Sequence, residues 1–236
     1  MAQEQVRNIK GLVLDFDNTI VLDLVSRKGS EELKDQAWLK VFEDVGRCEL
    51  VDILSISQKN VSEGKGDRYS VIHDVLKYYN FPEILFDREI KRRAHIFDDI
   101  VQEGLIKVGV STENRKVLDE LSRSIHLYVN TGTPLENVIE SMGNLELMKY
   151  FRGIYGRPAS KAENLIKIIG EEKLKPGEVL FVGDSNADWR AAKEVKCQFL
   201  GMQTARNKEW NENKMPFPII YSLADIKLRQ GVKIAL

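Results

Sequence analysis

The sequence predicts an α/β protein whose parallel sheet is interrupted, early in the chain, by an all-helical module. Three observations carry that expectation. Short unbroken apolar runs end in polar residues, as in Gly11-Leu12-Val13-Leu14-Asp15, the pattern of a central strand covered on both faces. From residue 112 onward such runs alternate with helical patterns, which indicates a parallel sheet with crossover helices. Between residues 22 and 108 no convincing strand occurs, and the apolar positions follow helical spacing instead.

After the first strand, Ser30 opens a helix with Glu31 and Glu32 in its first turn, where the helix dipole favours them. Leu33, Ala37, Trp38, Val41, Phe42 and Val45 continue it until Gly46. Further helices are expected near 49–57, 69–79 and, after Pro82, 83–101; a polar turn containing Gly64 and Gly66 separates the first two of these. A helix over 112–123 leads to a second strong strand, Ile125-His126-Leu127-Tyr128-Val129-Asn130, which ends at Thr131-Gly132. Helices over 134–142 and 160–170 precede the third, Glu178-Val179-Leu180-Phe181-Val182-Gly183, which ends at Asp184. A helix over 186–196, weaker strands at 198–201 and 218–221, and a final helix over 224–228 complete the reading. The implied division is a core of residues 1–21 with 109–236 and a helical module of 22–108.

Composition excludes several functions. The 236 residues suffice for a large core with an insert. With 35 Lys+Arg against 36 Asp+Glu, the chain has no overall basic field for a phosphate backbone, and the short run Lys91-Arg92-Arg93 reads as a solvated helix face. No nucleic-acid partner is expected. No apolar stretch approaches the ~20 residues that span a bilayer, and the first ten residues lack a signal-type apolar segment, so no membrane partner is expected and the cytoplasm is the expected compartment. Cys48 and Cys197 form neither a disulfide framework nor a metal pair, and Cys197 reads as a buried thiol. Monomer and dimer stay open.

All three strong runs end in polar side chains at their carboxyl edge, where ligands bind in open α/β sheets. Asp15 and Asp17, two apart in Asp15-Phe16-Asp17-Asn18-Thr19, can face one site. Asp184 and Asp188 in Gly183-Asp184-Ser185-Asn186-Ala187-Asp188 return to the same edge if Asn186 begins a helix. Turns after strands favour Asp in any case. The combination with Thr131-Gly132 and the intervening Lys161 is what makes the pattern specific. Four converging carboxylates require a cation or a shared proton, and hard oxygen donors with little His or Cys favour Mg²⁺ over zinc. Such a set suits phosphate-ester hydrolysis through an aspartyl-phosphate, with Asp15 as nucleophile and metal ligand, Asp17 as acid and base, Thr131 and the Gly132 N–H on the phosphoryl oxygens, and Lys161 as a fixed positive charge.

The four motifs, Asp15-Phe16-Asp17-Asn18-Thr19, Val129-Asn130-Thr131-Gly132, Ser160-Lys161-Ala162-Glu163 and Gly183 to Asp188, resemble in type and order those of the haloacid dehalogenase superfamily in its phosphatase branch. The resemblance spans almost the whole chain. It implies a Rossmann-like core carrying a type 1 helical cap, as in phosphoglycolate-phosphatase-like members. It also implies Asp15 as nucleophile, Asp17 as general acid/base, Thr131 and Lys161 as phosphate ligands, and Mg²⁺ held by Asp15, Asp184 and the backbone carbonyl of Asp17, with Asp188 orienting metal-bound water or Lys161. Thr131 is preferred to Thr133 because it directly follows the strand. Arg157, before Pro158, competes with Lys161, which the helix start at Ser160 favours.

The expected partner is a small phosphorylated metabolite whose leaving group is read by the insert and by Ser26-Arg27-Lys28, with Lys65 and Arg68 as candidate contacts. Asp17 argues against a dehalogenase, since halide needs no proton. A phosphomutase or phosphonate hydrolase of the same fold, and a non-catalytic phosphate-binding regulatory protein, are the alternative readings.

Overall fold

The computed structural model describes residues 7–45, 49–62, 68–211, 213–229 and 233–235. The chain opens with β1 (Arg7–Asn8) and β2 (Gly11–Leu14), then runs through four helices, α1 (Ser30–Val41), α2 (Leu50–Ser62), α3 (Arg68–Tyr78) and α4 (Phe86–Val108). It continues as α5 (Thr112–Ser122), β3 (His126–Pro134), α6 (Leu135–Asn144), β4 (Gly153–Arg157), α7 (Lys161–Glu171), β5 (Val179–Gly183), α8 (Asn186–Val195), β6 (Gln198–Met202) and β7 (Ile219–Ile220). β8 (Lys227–Arg229) and β9 (Lys233–Ala235) close the described chain.

Six strands form one parallel sheet in the order β4-β3-β2-β5-β6-β7. The chain builds outward from β2 in one direction, then returns to its other side at β5, the Rossmann strand order with its switch point between β2 and β5. That topology puts the carboxyl end of β2 between those of β3 and β5. Leu12, Val13 and Leu14 have no solvent exposure, which accounts for the unbroken apolar run. Phe181, Phe199 and Phe217 join Leu165 and Ile168 of α7 and Ala191 and Ala192 of α8 in one core cluster.

Three helices of the sheet unit, α5, α7 and α8, start where their sequences supply caps. Ser111 accepts from the Asn114 amide ahead of α5. Ser160 with Glu163, and Ser185 with Asp188, form capping boxes at α7 and α8. α8 ends at Lys196 in the left-handed conformation, φ 62°.

The chain divides into two compact units, Met1–Gly29 with Val108–Leu236 and Ser30–Lys107. Residues 22–29, grouped by sequence pattern with the insert, pack with the first unit. Leu22 bridges Gly29 in antiparallel fashion, and the Arg27 guanidinium donates to the carbonyls of Gln203 and Tyr221. Any side chain at Gly29 would place its Cβ 2.2 Å from the Val21 oxygen, so the turn back into α1 requires glycine.

In the second unit α4 runs to Val108, past the expected end near residue 101, and Gly104 inside it allows Leu33 to pack against the helix. Trp38 lies 4.2 Å from Phe97, ring centre to ring centre. The fully buried Arg93 guanidinium bonds Val41 O and Asp44 between the rings of Phe42 and Phe81.

The expected helix over 224–228 is corrected. Ser222 caps one 3₁₀ turn, Leu223–Asp225, after which Ile226 turns extended (ψ 102°) and β8 pairs antiparallel with β9, itself paired with β1. Five residues are too few to repay helix nucleation, whereas a strand partner supplies bonds at once. The edge strand β4 gave no sequence signal because its residues are mostly half-buried and two of its five are glycines.

Candidate active site

Beyond β2 the backbone continues the sheet for one residue, the Asp15 amide donating to Val182 O at 2.8 Å, and then turns sharply. Phe16 O accepts from both Ile20 and Val21 amides, with Asn18 at φ 53°, a left-handed value that Asn tolerates. The turn keeps Asp15 and Asp17 at the sheet edge, both buried.

Lys161, the first residue of α7, joins the end of β2 to the first turn of α8. Its Nζ lies 2.9 Å from Asp15 Oδ1 and 2.5 Å from Asp188 Oδ1. Asn130, midway along β3 where its register with β4 shifts, donates to the Lys161 carbonyl at 2.9 Å and accepts from Asn164 at 3.1 Å, which fixes the start of α7 against β3. Asp188 is fully buried, and its other oxygen accepts from the Ser185 amide at 3.0 Å and the Ser185 hydroxyl at 2.5 Å. The α8 capping box thus also orients an acidic residue.

Carboxylate oxygens of Asp15, Asp184 and Asp188 lie within 4.8 Å of one another. One ammonium among three carboxylates leaves excess negative charge. Burial drives the Asp15 carboxyl well above its usual range; Lys161 opposes the rise and Asp188 and Asp17 add to it. Burial also opposes the charge on Lys161, but Asp15 and Asp188 together hold it above the ordinary lysine range. An all-oxygen donor set with this surplus of charge fits a hard divalent cation such as Mg²⁺.

The Asp17 carboxylate is directed elsewhere. Its Oδ2 accepts from Thr133 Oγ1 at 2.7 Å and Thr131 Oγ1 at 3.2 Å, while Thr131 Oγ1 itself accepts from the Thr133 amide at 3.1 Å. Gly132, between them, is exposed, and a Cβ there would sit 4.0 Å from Lys161 Cε.

Asp15, Asp17, Thr131, Gly132, Lys161, Asp184 and Asp188 therefore gather at the ends of β2, β3 and β5. Arg157, the last residue of β4, is not the group on Asp15; Lys161 is. Arg68 begins α3 in the second unit and pairs with Asp98 at 2.7 Å. Lys65 lies outside the described residues. Thr133, Ser185 and Asn130 join the site without having been singled out for these contacts; Ser185 was findable as the start of a Ser-x-x-Asp capping box.

A family model described as haloacid dehalogenase-like hydrolase matches residues 12–202, from β2 through β6. The chain belongs to the haloacid dehalogenase-like hydrolases. Among curated relatives, the phosphoglycolate phosphatase of Salmonella typhimurium is 23% identical over 221 residues, covering 86% of this chain and 85% of its own length. That of Salmonella typhi is also 23% identical, over 220 residues, covering 86% and 84%. Two solved structures share the fold of this hydrolase at a TM-score of 0.65 and 18% identity, each covering 92% of this chain and 96% of its own: magnesium-bound YfnB from Bacillus subtilis, and CbbY from Rhodobacter sphaeroides in complex with xylulose-1,5-bisphosphate. The hydrolase is thus phosphoglycolate-phosphatase-like, with the Rossmann-like core and inserted helices its motifs imply. Among the described residues no helix is long and apolar enough to cross a membrane.

Proposed function

We propose that this hydrolase cleaves a small phosphate monoester through a phospho-aspartate on Asp15. The observation that carries the reading is Lys161 held between Asp15 and Asp188, 2.9 and 2.5 Å from them, at the switch point of the sheet.

An Asp15 carboxylate oxygen attacks phosphorus as the bond to the leaving oxygen breaks. The Asp17 carboxyl gives its proton to the departing alkoxide. In the second half, the Asp17 carboxylate takes a proton from water, whose oxygen attacks the phosphoryl group and returns Asp15 as carboxylate with release of inorganic phosphate. Thr133 fixes the Asp17 carboxylate for both transfers, and the Thr131 hydroxyl, once it leaves its longer bond to Asp17, binds a phosphoryl oxygen together with the Gly132 N–H. Lys161 keeps its charge throughout and offsets the meeting of anion with anion. Asp15, Asp184 and Asp188, with the carbonyl of Asp17, would hold Mg²⁺, which supplies positive charge against the phosphoryl oxygens when bound.

The curated relatives are named for phosphoglycolate, and a small phosphorylated acid of that kind is the substrate class to test first. Hydrolysis of p-nitrophenyl phosphate should require Mg²⁺ and vanish in Asp15→Asn. Full turnover by that variant would refute the phospho-aspartate route. A panel of metabolite phosphates ranked by kcat/KM then identifies the leaving group.

A further inference from the structure

We infer that Asn207, in the loop after β6, is a positioning residue that sets the geometry of the Asp184 and Asp188 carboxylates and thereby the affinity for the divalent cation. The inference rests on the metal reading above but concerns a residue outside all four motifs.

The ladder between β5 and β6 ends at Gly183↔Gly201, so Asp184 and Met202 stand just past the last strand pair. The buried Asn207 carboxamide spans that gap. Its Nδ2 donates to Asp184 O at 2.7 Å and Met202 O at 3.0 Å, and its Oδ1 accepts from the Thr204 amide at 2.7 Å. Both amide protons and the oxygen are used, a combination that carboxylate, hydroxyl or alkyl side chains cannot supply at this length.

The carbonyl that Asn207 holds belongs to the peptide between Asp184 and Ser185. The N–H of the same peptide donates to Asp188 Oδ2 at 3.0 Å. One peptide plane is therefore held at both ends, by Asn207 on its oxygen and by Asp188 on its nitrogen. Rotation of that plane would turn the Asp184 side chain and withdraw a donor from Asp188, whose other oxygen holds Lys161. The anchor itself is rigid: Trp210 N donates to Asn207 O at 2.9 Å, Arg206 N to Thr204 Oγ1 at 3.2 Å, and Ala205 N to Arg27 O at 2.8 Å.

The test is Mn²⁺ binding to the metal-stripped full-length protein, read as loss of the free-ion electron paramagnetic resonance signal, for wild type, Asn207→Asp and Asn207→Ser. Asn207→Asp keeps the size and the acceptor for Thr204 while removing both donors; its added charge alone would tighten cation binding, so weakening cannot come from charge. Both variants should bind Mn²⁺ about 10–100-fold more weakly, as outer-shell partners of metal ligands do. At saturating Mg²⁺ their substrate KM should return to the wild-type value, a recovery that general loop damage would not give. Circular dichroism and metal-free melting establish that each is folded; Asn207→Ser decides the matter if Asn207→Asp is not. Affinity within about two-fold of wild type in a folded variant overturns the role of Asn207 alone. No Mn²⁺ binding by the wild type overturns the metal reading and this inference together.

Discussion

Asp188 packs against Gly183 so closely that a Cβ on Gly183 would lie 2.4 Å from Asp188 Cγ. Neither partner can yield: Gly183 is the last residue of β5, and Asp188 is held in the first turn of α8 by Ser185 and Lys161. Gly183→Ala should push Asp188 off Lys161. Overpacking of this kind costs about 1–3 kcal/mol. Loss of alignment at the reacting centre should lower kcat/KM about 100-fold, more than the stability change alone would suggest. Melting temperature and p-nitrophenyl phosphate kinetics measured together check it; wild-type kcat/KM would show that Asp188 can shift without consequence.

Lys161→Met removes the ammonium that Asp15 and Asp188 share while keeping the stem packed. Two buried carboxylates then face each other without their cation, and stability without metal should fall by roughly 3–5 kcal/mol. Because an added cation relieves more repulsion in the variant than in the wild type, Mg²⁺ should raise its melting temperature by the larger amount. Equal Mg²⁺ shifts in the two proteins would mean that Lys161 and the metal act independently.

Much of this arrangement was legible in the chain. β2, β3 and β5 were readable because central parallel strands, covered on both faces, are written as apolar runs. Asp15, Thr131 and Asp184 were readable because each directly follows such a run. Arg157 and Lys161, four residues apart, were separable because Ser160 and Glu163 announce a helix start. What stayed hidden depends on long-range contact. Thr133 gains its meaning only when the end of β3 meets Asp17, 116 residues away in sequence. Asn207 sits in a loop without periodicity, and β8 and β9 are strands only because they find each other.

Arg93 of the second unit is buried with one strong partner, Asp44, at 2.7 and 3.1 Å, and a second, Glu89, at 3.5 Å. The bonds to Arg93 lower the Asp44 carboxyl below its usual range, and those to Arg92 do the same for Glu89. A depressed carboxylate stabilises the fold above its unfolded pKa and loses that contribution as pH falls through about 4 toward its folded value. Arg93→Met should therefore destabilise Ser30–Lys107 at pH 7 by roughly 2 kcal/mol, a buried-pair loss discounted because Asp44 is half exposed. The deficit should shrink on acidification below pH 4. Hydrogen exchange at the two pH values reads it directly, and equal exchange in wild type and variant at pH 7 would contradict it.

Cys197, between α8 and β6, packs against the core cluster that includes Phe181 and Phe199. Burial pushes its thiol up from 9.0 to about 12, so the native state holds the proton more tightly than the unfolded chain does. The stabilisation is complete below pH 9 and is lost as pH rises from there toward 12. In a Cys48→Ser background the native protein should resist a thiol reagent at pH 8 and react rapidly once unfolded in guanidinium, because the thiolate is the attacking species. Cys197→Ala should flatten the fall in melting temperature between pH 9 and 10.5, roughly the window in which only the unfolded thiol ionises. Rapid native labelling at pH 8, or an unchanged alkaline slope in the variant, would show that the thiol is not held in its protonated form.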